Sequence, residues 1–235
     1  MSLSHSPRIV TNGLVLCLDA ANRKSYPGTG TLWSDLSGNG YNGVLTDVTY
    51  LPANGGVLDF DVTATGVCDT QADILDLGSS NFTWEVWVST DAHSAINQTL
   101  IEKGETSPNR GYGLYIDSFA SANRPTFRYS FDGSNWVYHG LWTSAEPMIS
   151  GTFYQAVVTR NGGTLSGYKN GSLGLYRSDL STNSIYNSSE FLQFGATNNF
   201  AWLDGKLSII RFYNRALSAA EILQNFNAIR GRFGI

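Results

Sequence analysis

Along nearly its whole length the chain repeats one pattern, a short run alternating apolar and polar residues followed by a cluster of Gly, Asn, Asp or Ser. FTWEVWVS (82–89) sets Phe82, Trp84, Val86 and Val88 against Thr83, Glu85, Trp87 and Ser89, and LVLCLDA (14–20) places Leu14, Leu16 and Leu18 together. A period of two belongs to a β-strand whose faces have different surroundings. Similar runs follow in GGVLDFDV (55–62), TLIEKG (99–104), GYGLYID (111–117) and TFRYSFDG (126–133). NWVYHGLW (135–142), TFYQAVVTRNG (152–162), LSGYKNGSLGLY (165–176), FLQFGAT (191–197) and KLSIIRFYN (206–214) complete the series. The joints Asp132-Gly133, Asn161-Gly162-Gly163 and Asn170-Gly171 are tight-turn sequences, the last a strong hairpin signal. Eleven or more such runs in 235 residues specify an all-β antiparallel sandwich or barrel.

One segment breaks the pattern. Ser218 precedes Glu221 by three residues, a capping box, with Leu217 placed as the hydrophobic staple. Ile222, Leu223, Phe226 and Ile229 then recur at helical spacing, and Gly231 stands as the stop signal. A short helix over about 219–229 should therefore lie against the outside of one sheet. The expected buried set is Leu14, Leu16, Leu18, Phe82, Trp84, Val86, Val88, Ile209 and Phe212. No linker or charge block divides the chain, so the expected organisation is an arm over 1–11, one domain over 12–229 and a tail over 230–235.

Charged residues make 14% of the chain and the net charge is −4, which argues against a nucleic-acid partner. No apolar run is long enough to span a membrane, and MSLSHSPRIV lacks the apolar core of a signal peptide. Cys17 and Cys68 offer no disulfide framework. Cations gather at one end: Lys206, Arg211, Arg215, Arg230 and Arg232 face Glu221 alone after residue 204.

The run GKLSIIRFYNRALSAAE (205–221) resembles the closing strand and helix of laminin-G-like domains in the concanavalin-A-like lectin/glucanase superfamily. LWSDLSGNGYNGVL (32–45), FTWEVWVS, LIEKG and FYQAVVTRNGGTLSGYKNGSLG are similar to further segments of those domains, in the same order, across about residues 12–228. The resemblance implies a jelly-roll of two antiparallel sheets with one short C-terminal helix. GLVLCLDAANRKSYPGTGTLWSDLSGNGYNG and NRALSAAEILQNFNAIRGRFGI are also similar to segments of tailed-phage structural proteins. That likeness implies a virion protein made in the host cytoplasm: a capsid decoration, or a tail or fibre component. Its partners would be other virion proteins, further copies of itself and host surface glycans.

The superfamily includes glycoside hydrolases, whose retaining members need two carboxyl groups about 5–5.5 Å apart. The Glu-x-Asp-x-x-Glu run of the related β-glucanases is absent here. Asp59 and Asp61, and Glu85, are expected on solvated polar faces of the sandwich. Of His5, His93 and His139, only the last falls in a strand, among aromatic residues. No enzyme is expected. Two non-catalytic readings remain: a virion structural protein able to touch carbohydrate, and a stand-alone glycan-binding lectin.

Three sets of residues carry the candidate sites. Trp136, Tyr138 and Trp142 share one parity in a strand and could form an aromatic platform for sugar, or be core rings. Asp35, Ser37 and Asn39, with Gly40 sixth, match the oxygen spacing of a calcium loop, although Thr46 stands where a bidentate acid belongs. An Asx-rich turn explains the same residues with no cofactor. In the tail, Phe233 and Ile235 are flanked by Arg230 and Arg232. They could close the protein's own sheet or dock on a neighbouring subunit.

Overall fold

The computed structural model describes residues 7–61, 63–68, 73–91, 97–117, 123–177, 180, 183–197 and 202–235; His5 and His93 lie outside these. The first half of the chain supplies β1 (Leu14–Asp19), β2 (Leu32–Trp33), β3 (Gly43–Thr46), β4 (Thr49–Leu51), β5 (Val57–Phe60), β6 (Thr65–Cys68), β7 (Phe82–Thr90), β8 (Gln98–Lys103) and β9 (Tyr112–Asp117). The second half adds β10 (Arg124–Tyr129), β11 (Val137–Gly140), β12 (Tyr154–Asn161), β13 (Thr164–Lys169), β14 (Ser172–Arg177), β15 (Leu192–Phe194), β16 (Gly205–Tyr213) and the helix α1 (Ala219–Ile229). They form two packed antiparallel sheets.

The first sheet runs β14-β13-β12-β7-β16-β5-β4, and the second runs β11-β10-β9-β8-β15-β6-β3-β2. β16 serves two neighbours on one side, since Gly205–Leu207 pair with β5 while Ile209–Tyr213 pair with β1. A bulge between Leu207 and Ile209 marks the change. The β13–β14 hairpin turns on Asn170 and Gly171, at φ 50° and 78°, the left-handed pair of a type I′ turn.

Leu16, Leu18, Phe82, Trp84, Val86, Val88 and Phe212 meet Leu114, Ile116, Phe127 and Phe194 between the sheets. Leu14 is only half-buried and packs with Val10, Leu217 and Ile222 instead. Ile209 is fully buried, but on the opposite face, against Trp87 and Ile229.

That opposite face departs from the expected alternation. All nine residues of β7 are buried, and Glu85, expected in solvent, is 1% exposed. The cause is α1 together with the segment around Val10 and the C-terminal tail, which cover the first sheet. Ser218 and Glu221 form the capping box at the start of α1. Arg215 donates to Glu221 Oε1 at 2.6 Å and holds its carboxyl down at about 2. Ile222 and Ile229 face the sheet, but Leu223 is 45% exposed and Asn225 is fully buried. Beneath the helix Glu85 Oε1 accepts from Trp87 (2.9 Å), Gln155 (3.0 Å) and Arg211 (3.0 Å), and Oε2 accepts from Asn225 (2.8 Å). A buried polar residue on the apolar stripe is acceptable only because each partner is supplied.

The segment around Val10 and the tail are part of this cover. Val10 N donates to Asn225 Oδ1 (2.8 Å), and Val10 O accepts from Tyr213 (3.0 Å). Gly231 does not stop the helix; a 3-10 turn continues through Arg230–Arg232, and the left-handed glycine is Gly234. Phe233 stacks on Trp87 and Phe153 at 4.8 and 4.4 Å between centroids. Arg232 donates to both oxygens of Asp19 and to Ser208 Oγ (2.9 Å). Arg230 Nη1 reaches Ile235 O, and Ile235 packs with the Trp87 cluster. In this structure the tail occupies the chain's own sheet.

Candidate functional site

The second sheet has no such cover from α1, and its outward face follows from the pleat. Tyr112, Leu114 and Ile116 of β9, and Phe127 and Tyr129 of β10, belong to the core. Their alternates Gly113, Tyr115 and Arg128 therefore point away from it. Tyr138 of β11 lies directly across from Arg128 in the ladder and shares that face.

Arg128 is the centre of the arrangement. Its guanidinium lies 4.5 Å from the Trp136 ring centroid and 5.3 Å from that of Tyr115. Through Nη2 it meets Glu102 Oε2 at 3.0 Å and Glu105 Oε1 at 3.7 Å. Glu102 can fold over β9 because Gly113 has no side chain; a Cβ there would sit 1.7 Å from Glu102 Oε2. Arg110 also lies over the Trp136 ring, 5.7 Å from its centroid, anchored by the carbonyls of Glu105 and Ser134. Tyr138 stands edge-on to Tyr115, centroids 6.4 Å apart, and is 52% exposed.

Glu102 is buried, and loss of solvent pushes its carboxyl up to about 8 despite the opposing pull of Arg128. Its Oε1 has no hydrogen-bond partner. Glu102 and Glu105 escaped the sequence reading because their spacing of three matches no strand-face pair. The one available signal was the parity of Glu102 opposite Gly113. The acids do not form an accessible acid–base pair. Both serve Arg128, and Glu102 lies beneath it, closed to a substrate.

The aromatic platform forms only in part. Trp136 and Tyr138 share the outward face, but Trp142 is 2% exposed and packs in the core. β11 ends at Gly140, so parity no longer fixes direction; Leu141 N bonds Pro125 O, and Trp142 Nε1 donates to Glu146 O. Trp142 instead floors a separate cleft beside Glu146, Lys169 and Leu173. His139 points inward opposite Phe127 and is buried.

Asp35, Ser37 and Asn39 do come together, around the chain's own donors. Asp35 Oδ1 accepts from Cys17 N (2.8 Å) and Ser37 N (2.9 Å), and Oδ2 accepts from Tyr41 N (3.2 Å) with Ser37 Oγ at 2.6 Å. Asn39 Nδ2 donates to Val15 O at 2.9 Å. This is an Asx turn stapled to β1, and a cation would have to displace those donors. Among the described residues no group of three His, Cys, Asp or Glu side chains could hold a metal ion.

Residues 62–223 match a laminin-G-like model of the Concanavalin A-like lectin/glucanases superfamily. The chain belongs to this superfamily. Its fold is the two-sheet antiparallel sandwich of that superfamily. No curated protein matches it by sequence. Among solved structures it is similar to the binding domain of Paraclostridial Mosquitocidal Protein 1 (TM-score 0.71, 17% identity), covering 93% of this chain and 52% of that one. It is also similar to a Trypanosoma rangeli sialidase (TM-score 0.66, 17% identity), over 95% of this chain and 35% of that one. A botulinum neurotoxin type C structure, whose cell entry is dependent upon interaction with two ganglioside molecules, aligns with TM-score 0.65 and 14% identity. That alignment covers 94% of this chain and 52% of the toxin chain, so the chain spans between a third and about half of these structures.

Proposed function

We propose that this chain is a non-catalytic glycan-binding domain displayed on a tailed-phage particle, with its binding face on the outer side of the second sheet. The observation that carries the reading is Tyr138, an exposed ring standing on Tyr115 beside the Trp136–Arg128 stack. Sugar rings pack their apolar faces on such rings while fixed polar groups take the hydroxyls. Two of the fold relatives favour binding, one a binding domain and one a neurotoxin whose cell entry depends on two ganglioside molecules, while a third is a sialidase. Non-catalysis is supported by the acids themselves, since Glu102 is buried and spent on Arg128.

The virion part of the reading rests on the wording of the two ends of the chain. Its partners would be neighbouring particle proteins and further copies of itself, and its glycans those of a host surface. A glycan array tests the binding. Wild type should bind, and Tyr138→Ala should lose binding with the melting temperature unchanged, because an exposed ring contributes little to the core. A wild-type protein that binds nothing on host-type polysaccharides would leave only the structural role. Mass spectrometry of purified particles tests the location.

A further inference from the structure

Two arginines on this face have no carboxylate in direct contact, although Arg110 lies within electrostatic reach of Glu102. Among the described residues Arg110 and Arg124 form no ion pair; each is held by carbonyl oxygens. Arg110 donates to Glu105 O (3.0 Å) and Ser134 O, and Arg124 donates to Trp142 O (2.9 Å). Both are half-buried, and Arg124 Nε is a buried donor with no acceptor. Removing a guanidinium from water without a counter-charge is costly, so an anion has most to offer where it is already partly desolvated.

Their placement adds direction. Arg110 lies over Trp136, just before β11, while Arg124 lies over Gly140 at its end, where a Cβ would stand 2.8 Å from the guanidinium carbon. Four residues of strand separate those two points, on the order of 13 Å. The exposed ring of Tyr138 is between them, and Arg177 reaches Tyr138 O at 3.5 Å. Among the described residues the acids on this face are Glu102 and Glu105, which pair with Arg128, Glu102 also feeling the charge of Arg110, and Asp117, the ladder partner of Arg124, which has interactions of its own.

We infer that the face recognises acidic oligosaccharides, with sugar rings on Tyr138 and Trp136 and sugar carboxylates on Arg110 and Arg124. The planar guanidinium fork matches a carboxylate in a way that a neutral hydroxyl cannot. The length of the patch suits several linked sugars rather than one. This inference rests on the glycan-binding reading above and narrows its ligand class.

The test uses the full chain and calorimetric titration with four probes: oligogalacturonate, its carboxyl-reduced neutral form, a sialylated oligosaccharide and a neutral glucan. At least one carboxylated probe should bind, and carboxyl reduction should weaken oligogalacturonate binding tenfold or more. The double variant Arg110→Gln/Arg124→Gln should lose tenfold or more with its melting temperature checked alongside, while Arg124→Lys should retain part of the affinity. Affinity for the acidic probe should fall as salt rises. Equal binding of the acidic and reduced forms, or binding of the neutral glucan alone, would overturn the acidic preference and leave glycan binding standing. Binding of none of the four, with an array also empty, removes both.

Discussion

Each sheet buries a glutamate on its outward side and pairs it with an arginine, and the two pairs have different surroundings. Glu85 accepts from Trp87, Gln155, Arg211 and Asn225, so each of its oxygens is satisfied from several elements. Glu102 is as deeply buried, yet it has Arg128 on one oxygen and nothing on the other. The difference lies in what covers them. Over Glu85 sit α1, the segment around Val10 and the tail, which together turn a sheet face into an interior. Over Glu102, among the described residues, lies an aromatic and arginine-rich surface. A buried carboxylate with all its donors supplied belongs to the framework. Glu102 is left incomplete beside the exposed ring of Tyr138, on the face proposed to bind glycan.

The largest expected effect sharpens the framework side. Replacing Arg211 or Glu85 by Ala leaves the other charge buried, which typically costs about 3–5 kcal/mol. Urea unfolding should show this as a large fall in midpoint with little change in slope. A loss below about 1 kcal/mol would mean that packing of Ile222 and Ile229, not the Glu85 network, holds the cover in place.

Next comes the tail. Phe233 lies between Trp87 and Phe153, and its removal as Phe233→Ala should cost roughly 1.5–3 kcal/mol. Deleting residues 230–235 should lower the melting temperature further, since Arg232 also leaves Asp19. Light scattering of the same deletion asks the opposite question. Loss of self-association at an unchanged melting temperature would restore the tail to the role of a docking arm.

Much of the framework was legible because it is local and periodic. The alternation in β7, the Asn170-Gly171 turn and the Ser218/Glu221 box each specify their own backbone, and all three match the structure. What stayed hidden was the second neighbour. Glu85 and Trp87 have the parity of solvent-facing residues, and it is the arrival of α1, the segment around Val10 and the tail that buries them. Asn225 interrupts an apolar stripe for a partner 140 positions away. The site was hidden for a similar reason. Trp136 and Tyr138 could be suspected from spacing, but Arg128, Glu102 and Gly113 come from three strands and meet only through register. Trp142 takes the core position that its spacing also allowed, because its parity does not carry past the end of β11.

The third prediction contrasts the other carboxylate. Glu102 has an ordinary value of 4.5 when unfolded and is pushed up to about 8 by burial in the folded protein. Between those values the folded state holds the extra proton, so the contribution of this group to stability falls as pH rises through that window. Glu102→Gln keeps the shape without the proton. Relative to wild type its melting temperature should match near pH 4, gain steadily toward pH 8 and level off above. A difference that is constant with pH would show that Glu102 is ionised throughout and is held by Arg128 as firmly as Glu85 is by its own partners.

The smallest expected effect is none at all, at Asp35. This carboxylate belongs with Glu85 rather than Glu102, because Cys17 N, Ser37 N, Tyr41 N and Ser37 Oγ already surround its two oxygens. A calcium ion needs six to eight oxygen ligands and would have to strip those donors away, with no acid from position 46 to replace them. Anything bound only by the folded state raises the melting temperature by mass action. Melting curves recorded with excess calcium and with chelator should therefore superimpose. A rise with calcium that vanishes in Asp35→Asn would put an ion in the loop and move Asp35 out of the framework class, leaving Glu85 as the one carboxylate of the three whose oxygens are claimed by protein alone.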